Sequence, residues 1–170
     1  MTISETLLPE FEREMKCARR TLERIPEDKL DWRPHPKSMT IGQLAGHVAE
    51  IPGLGIAALK TPVMDFAAKP GGYKPPVAES QKHVLELFDK LVADVRIAIQ
   101  ETSDAQWAEE WKLCAGDKVF FRGPRRMAVR ALVLSHLIHH RAQLGVYLRL
   151  NDVPVPAVYG PSADEGPFNG

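Results

Sequence analysis

An all-α fold is what this sequence predicts: a single domain built as a four-helix bundle of antiparallel neighbours. Three observations lead there. Four segments carry apolar residues at helical spacing, the stretches between them are irregular and mostly rich in proline and glycine, and no internal repeat or domain-sized linker breaks the 170 residues. That length suits one domain with a genuine core and is short for two.

The first segment places Leu7, Phe11, Met15, Leu22 and Ile25 on one helical face. Thr2-x-x-Glu5 has the form of a capping box, but it would put Pro9 inside the helix. A start near Thr6 keeps Pro9 in the first turn, where a missing N–H costs little, so the helix is expected over about residues 6–24. IPEDKLDWRPHPKSMT, with three prolines, reads as a loop. Thr40 then caps a second helix to about Lys60, with Ile41, Leu44, Val48 and Ile51 inward and Pro52, Gly53 and Gly55 as points of bending.

TPVMDFAAKPGGYKPP is a second irregular stretch. Val84, Leu87, Phe88, Leu91, Val95 and Ile99 mark the clearest helix, over about residues 78–102. In WKLCAGDKVFF, apolar residues flank Gly116-Asp117, which predicts a short hairpin near residues 111–121. Gly123-Pro124 opens the last helix, which runs to Leu150 and is apolar on nearly every side, so a central position is expected. The proline- and glycine-rich residues 152–170 form an extended tail.

Lys plus Arg number 22 and so do Asp plus Glu, giving a formal net charge of +0. Without a positive field, neither nucleic acid nor an anionic membrane is an expected partner. Cys17 and Cys114 are far apart and form neither a disulfide framework nor a zinc knuckle. The first residues mix acids and bases with apolar groups, unlike a signal peptide, and no apolar run reaches membrane-spanning length. A soluble cytoplasmic protein is the expectation.

Three of the six histidines fall within SHLIHHRAQL, inside the most apolar helix. Four residues apart, His136 and His140 share a face, and Leu132, Gln143 and Tyr147 extend that stripe. Two such imidazoles can grip one metal ion, and His47, at the edge of the second helix's inward face, offers a third nitrogen, with Ala45 and Gly46 leaving room beside it. His139 is off the line. From spacing alone, a metal site and a set of hydrogen-bonded core histidines fit equally well. A zinc-peptidase H-E-x-x-H is excluded because position 137 is Leu, and no histidine has the Glu three residues before it that di-iron bundles need.

LDWRPHPKSMTIGQLAGHVAEIPG (30–53) and LSHLIHHRAQLGVYLRLNDVPVPAVYGPSADE (134–165) resemble the DinB-like family, as does the connector SDAQWAEEWKL. The resemblance implies an up–down–down–up four-helix bundle, commonly a homodimer, with a divalent ion held by a histidine of the second helix and two of the last. The matching positions are His47, His136 and His140. Related groups include transferases that use low-molecular-weight thiols. The function expected is therefore that of a metal-dependent thiol S-transferase or hydrolase acting on a small electrophilic molecule, since a His₃ ion activates water or a thiol. Three imidazoles suit zinc, nickel, iron and copper alike. The competing class is a non-catalytic metal- or ligand-binding helical module.

Other residues are weighed against plainer roles. Glu50, three residues after His47, could orient an imidazole or take a proton, and a solvated acid fits as well. Gln143 and Tyr147 could contact a substrate, although packing suits Tyr147. Arg122, Arg125 and Arg126 sit at the unfavourable end of a helix dipole, where an anion would relieve them, and Arg126 is a candidate contact. Solvated arginines are the simpler alternative.

Overall fold

The computed structural model describes residues 1–68 and 71–166. The chain is mostly helical, with long helices α1 (Ile3–Leu22), α2 (Ile41–Lys60) and α3 (Gln81–Glu101). Between α2 and α3 lies a short strand β1 (Val63–Asp65). A short helix α4 (Asp104–Ala108) and strands β2 (Glu110–Ala115) and β3 (Lys118–Pro124) follow α3. The last long helix is continuous but changes pitch: α5 (Arg125–Ala128), a π-helical stretch Val129–Ser135, then α6 (His136–Leu150).

The helix α1 begins earlier than expected. Thr2 and Glu5 form the full capping box, and Pro9 is accommodated inside. Tertiary bonds secure the early turns: Ser4 Oγ donates to the carbonyls of Ile99 and Thr102, and Ile3 N–H donates to Asp104 Oδ1. These offset what the proline removes. The second capping box, Thr40 with Gln43, starts α2, which runs through Pro52 without a break. At Gly55 an added Cβ would stand 3.0 Å from Val95 Cγ1, so the small residues there serve close packing of α2 on α3.

The apolar faces read from the sequence meet in one core. Phe11, Leu22, Ile41, Leu44, Val48, Ile51, Val95, Ile99, Leu137 and Leu144 are all fully buried. Each such side chain contributes about 1.5–3 kcal/mol by leaving water. The last helix is less central than its composition suggests. Leu137, Arg141, Leu144 and Leu148 face inward, whereas Val146 and Leu150 are exposed.

A purely all-α description needs correcting. The order of strands is β1-β2-β3, with β1 parallel to β2 and β2 antiparallel to β3. The hairpin appears where expected, turning at Gly116, whose φ of +57° favours glycine. The register shifts between Leu113 and Cys114, so both are buried although strand neighbours normally alternate. The strand β1 lies in the stretch read as irregular, because its three residues become a strand only through pairing with Lys112, Leu113 and Cys114.

Trp107 and Trp111 are fully buried and anchor the connector, Trp107 Nε1 donating to Ser4 Oγ. The described part of the tail is an ordered strap. Glu165 pairs with Arg20 and Arg24, Asp164 with Arg149, and Tyr159 donates to Glu14. Residues 167–170 of the expected tail lie outside the described residues, as do 69 and 70 of the second irregular stretch. Among the described residues no helix is long and apolar enough to cross a membrane.

Candidate metal centre

His47 on α2 and His136 and His140 on α6 meet where the two helices pack. His136 Nε2 stands 3.2 Å from His47 Nε2 and 3.0 Å from His140 Nε2. One ligand atom from each of the three lies within 4.8 Å of the others, so the trio could hold a metal ion. His139, off the line in sequence, is exposed and touches only the edge of the group through His140, 4.7 Å between ring centroids.

Every ring's outer nitrogen is engaged. His47 Nδ1 is 2.8 Å from Glu50 Oε1, His140 Nδ1 is 2.8 Å from Gln143 Oε1, and His136 Nδ1 is 3.3 Å from the Leu132 carbonyl. All three partners are acceptors, so each Nδ1 carries the proton and each Nε2 presents a lone pair. Lone pairs 3.0–3.2 Å apart repel unless a cation lies between them. Two imidazole nitrogens bound at about 2.0–2.1 Å to one ion are about 2.9–3.4 Å apart for angles of about 90–110°. The donor set therefore fits a divalent ion in chemistry and spacing.

Local backbone makes this possible. His136 follows the π-helical stretch directly, and its N–H bonds to the Val133 carbonyl. The Leu132 carbonyl, which an ordinary α-turn would offer to that N–H, accepts His136 Nδ1 instead. On α2, Gly46 does not make room beside His47. A Cβ there would lie 2.2 Å from the Pro76 carbonyl oxygen, so this glycine lets the preceding loop of α3 lie flat on α2. The Ala78 N–H donates to the Gly42 carbonyl along the same seam.

Burial and then repulsion among the rings favour the neutral form of His136 and His140, the form that ligates. Burial pushes His136 down, helped by His47. It pushes His140 down to about 4, the Gln143 bond opposing and the neighbouring imidazoles adding to the effect.

Glu50 does more than sequence spacing suggests. Its Oε1 accepts from His47 Nδ1 and also from the Tyr73 hydroxyl. Burial and this carboxylate together push the Tyr73 phenol well above its ordinary value. Tyr73 is absent from the candidates read from the sequence, because it lies in a loop with no period to place it. Gln143 is exposed and orients His140, while Tyr147 packs edge-on against Trp32 at 5.6 Å.

The arginines disperse. Arg125 Nη1 donates to the carbonyls of Ala58 and Thr61 at the end of α2, and its Nε pairs with Glu109. Arg122 lies 3.7 Å from Glu110. Arg126 is exposed, ten residues before His136 on the same helix, or about 15 Å along the axis. It is not brought to the histidines.

A cavity of about 260 Å³ opens beside the histidines, walled by Leu54, Phe66, Leu113 and Leu132 with Glu50 and Tyr73 at its polar end. A larger one of about 390 Å³ lies under the tail strap against another side of α6, around Gly145 and Val155. It holds none of the three histidines, so the smaller cavity is the relevant one for chemistry.

Comparison with known proteins bears on the fold and the family. A Bacillus subtilis (strain 168) protein described as uncharacterized protein YrdA is 22% identical over 160 residues, covering 93% of this chain and 89% of that protein. The crystal structure of a DinB-like protein from Bacillus cereus ATCC 10987 superposes with a TM-score of 0.72 at 23% identity, over 93% of this chain and 98% of that one. A DinB-like protein of Bacillus subtilis, YjoA, gives 0.66 at 16% identity, over 90% and 96%. Both share the fold. The family profile described as the DinB superfamily matches residues 10–144, and the chain belongs to that superfamily.

Proposed function

We propose that the chain is a metal-dependent enzyme, a thiol S-transferase or hydrolase acting on a small electrophilic molecule, with a divalent ion held by His47, His136 and His140. Zinc, nickel and iron all suit three neutral imidazoles. The observation that carries this reading is the convergence of the Nε2 atoms, 3.2 and 3.0 Å apart, while every Nδ1 is spent on an acceptor. Mutual packing alone gives three such lone pairs no reason to face one another.

When bound, such an ion lowers the pKa of a water or thiol and so supplies a nucleophile at neutral pH. The chain's own groups do the rest. Glu50, Gln143 and the Leu132 carbonyl fix the ring tautomers and orientations. Glu50 Oε1 is committed to His47 and Tyr73, which leaves Oε2 as the atom to accept a proton from the nucleophile. The apolar wall excludes water around the electrophile. The packing of α1, α2, α3 and the last helix supports an up–down–down–up four-helix bundle as the scaffold. Balanced charge supports a small-molecule substrate over nucleic acid.

Tag-free protein loaded with zinc or nickel tests the reading, assayed with an aryl ester and with an alkyl halide plus 2-mercaptoethanol. A rate above that of metal-free protein, lost in His140→Ala, is expected. No metal-dependent rate with either class contradicts it. Unfolding on chelation without any rate assigns the ion a structural role instead.

A further inference from the structure

The cavity beside the histidines has a chemical preference of its own. Its wall is Leu54 and Ile51 of α2, Phe66 after β1, Leu113 of β2 and Leu132 of the π-helical stretch. Its polar groups, His47, His136, Glu50 and Tyr73, adjoin one another. Among the described residues, no lysine or arginine lines it. Phe66 stacks at 4.9 Å on Tyr73 and lies 6.2 Å from Phe120, so aromatic surface continues outward. Lys118 stands over the half-exposed Phe120 ring.

A ligand that reaches the histidine nitrogens with its donor or electrophilic atom must lay the rest of its body on that wall. A carboxylate there loses water and meets no cationic side chain among the described residues, while Glu50 adds a like charge. The geometry points to an uncharged, apolar substrate, aryl or branched alkyl in its body, with anionic peptide-like thiols disfavoured as co-substrates. This rests on the metal reading above and narrows it: a hydrolase, or a transferase using a small neutral thiol, fits the cavity better than a transferase using an anionic one.

Cobalt(II)-loaded full-length protein tests the preference by direct binding. It is titrated with benzyl mercaptan and with 4-(mercaptomethyl)benzoate, and the thiolate-to-cobalt charge-transfer band is read. The two thiols share a donor and differ in one distal carboxylate. Benzyl mercaptan is expected to bind at least tenfold more tightly, and Leu54→Lys to shrink that ratio severalfold. Phe66→Lys, outside the long α-helices, gives the same readout should the first variant fold poorly. Equal or tighter binding of the carboxylate, no band with either thiol, or a ratio unmoved in a folded variant overturns the inference. Failure to take up cobalt at all overturns the metal reading instead, so the two failures are distinguishable.

Discussion

Arg141 Nη1 donates to Glu14 Oε2 at 2.8 Å, and both side chains are almost wholly buried, 4% and 1% exposed. Arg141 directly follows His140 on α6, so this pair ties α1 to the helix that carries two of the three histidines. Tyr159 of the tail donates to the same carboxylate oxygen, and the Arg141 guanidinium lies 4.8 Å from its ring centroid. One buried acid thus joins α1, α6 and the strap.

Removing that acid strands a buried cation. Glu14→Ala is expected to destabilise the protein by about 3–5 kcal/mol, measured by urea unfolding. The pair Glu14→Met with Arg141→Met should recover much of the loss, since two apolar side chains replace a desolvated ion pair. A double variant as unstable as the single one contradicts this account.

The same group sets an acid limb of stability. Burial pushes the Glu14 carboxyl up, but hydrogen bonds from Tyr159 and Arg141, with the Arg141 charge, outweigh it and hold the carboxyl below its ordinary 4.5. In the window between the folded and unfolded values the unfolded chain binds more protons, so stability rises with pH there. The contribution is full above the unfolded value and is lost as pH falls through the folded one. Unfolding free energies from about pH 6 down to about pH 2 should show this slope, reduced in the Glu14→Met, Arg141→Met double variant.

In the proposed site Glu50 bears on metal affinity through its hydrogen bond with His47. Glu50→Ala should weaken zinc binding by about 10–100-fold in a chelator competition while leaving helix content unchanged. Tyr73→Phe, which keeps the carboxylate, should weaken it less. An unchanged affinity in Glu50→Ala would remove the hydrogen bond to His47 from the account.

Gly46 is needed for a close approach. Gly46→Ala places a Cβ against the Pro76 carbonyl oxygen, part of a backbone that cannot rotate away. A loss of about 1–3 kcal/mol is expected in urea unfolding, with hydrogen exchange rising at Ala78, whose N–H bonds to Gly42. Unchanged stability and exchange contradict the close fit.

Much of this was legible from the chain. Helical periods predicted α1, α2, α3 and the last helix, because burial of one face dominates their composition. The i, i+4 spacing put His136 and His140 together, and the inward edge of α2 offered His47. What escaped depends on contacts distant in sequence. Val63-Met64-Asp65 has no strand pattern of its own and is one only beside β2, some 50 residues on. Glu50 and Tyr73 meet because a loop folds over α2. The π-helical stretch before His136 is built from ordinary helix-forming residues, and its backbone register is invisible in their identities. Gly46, adjacent to a candidate ligand, suggested space for a ligand where tertiary packing put a loop.

His47, His136 and His140 are proposed to hold one ion between them. Elemental analysis of tag-free protein, after loading with zinc and gel filtration, tests it most directly, alongside His136→Ala treated in the same way. One ion per chain in the first and none in a still-helical second is the predicted result. A wild-type chain free of stoichiometric metal, or a variant that keeps its full complement, would contradict it.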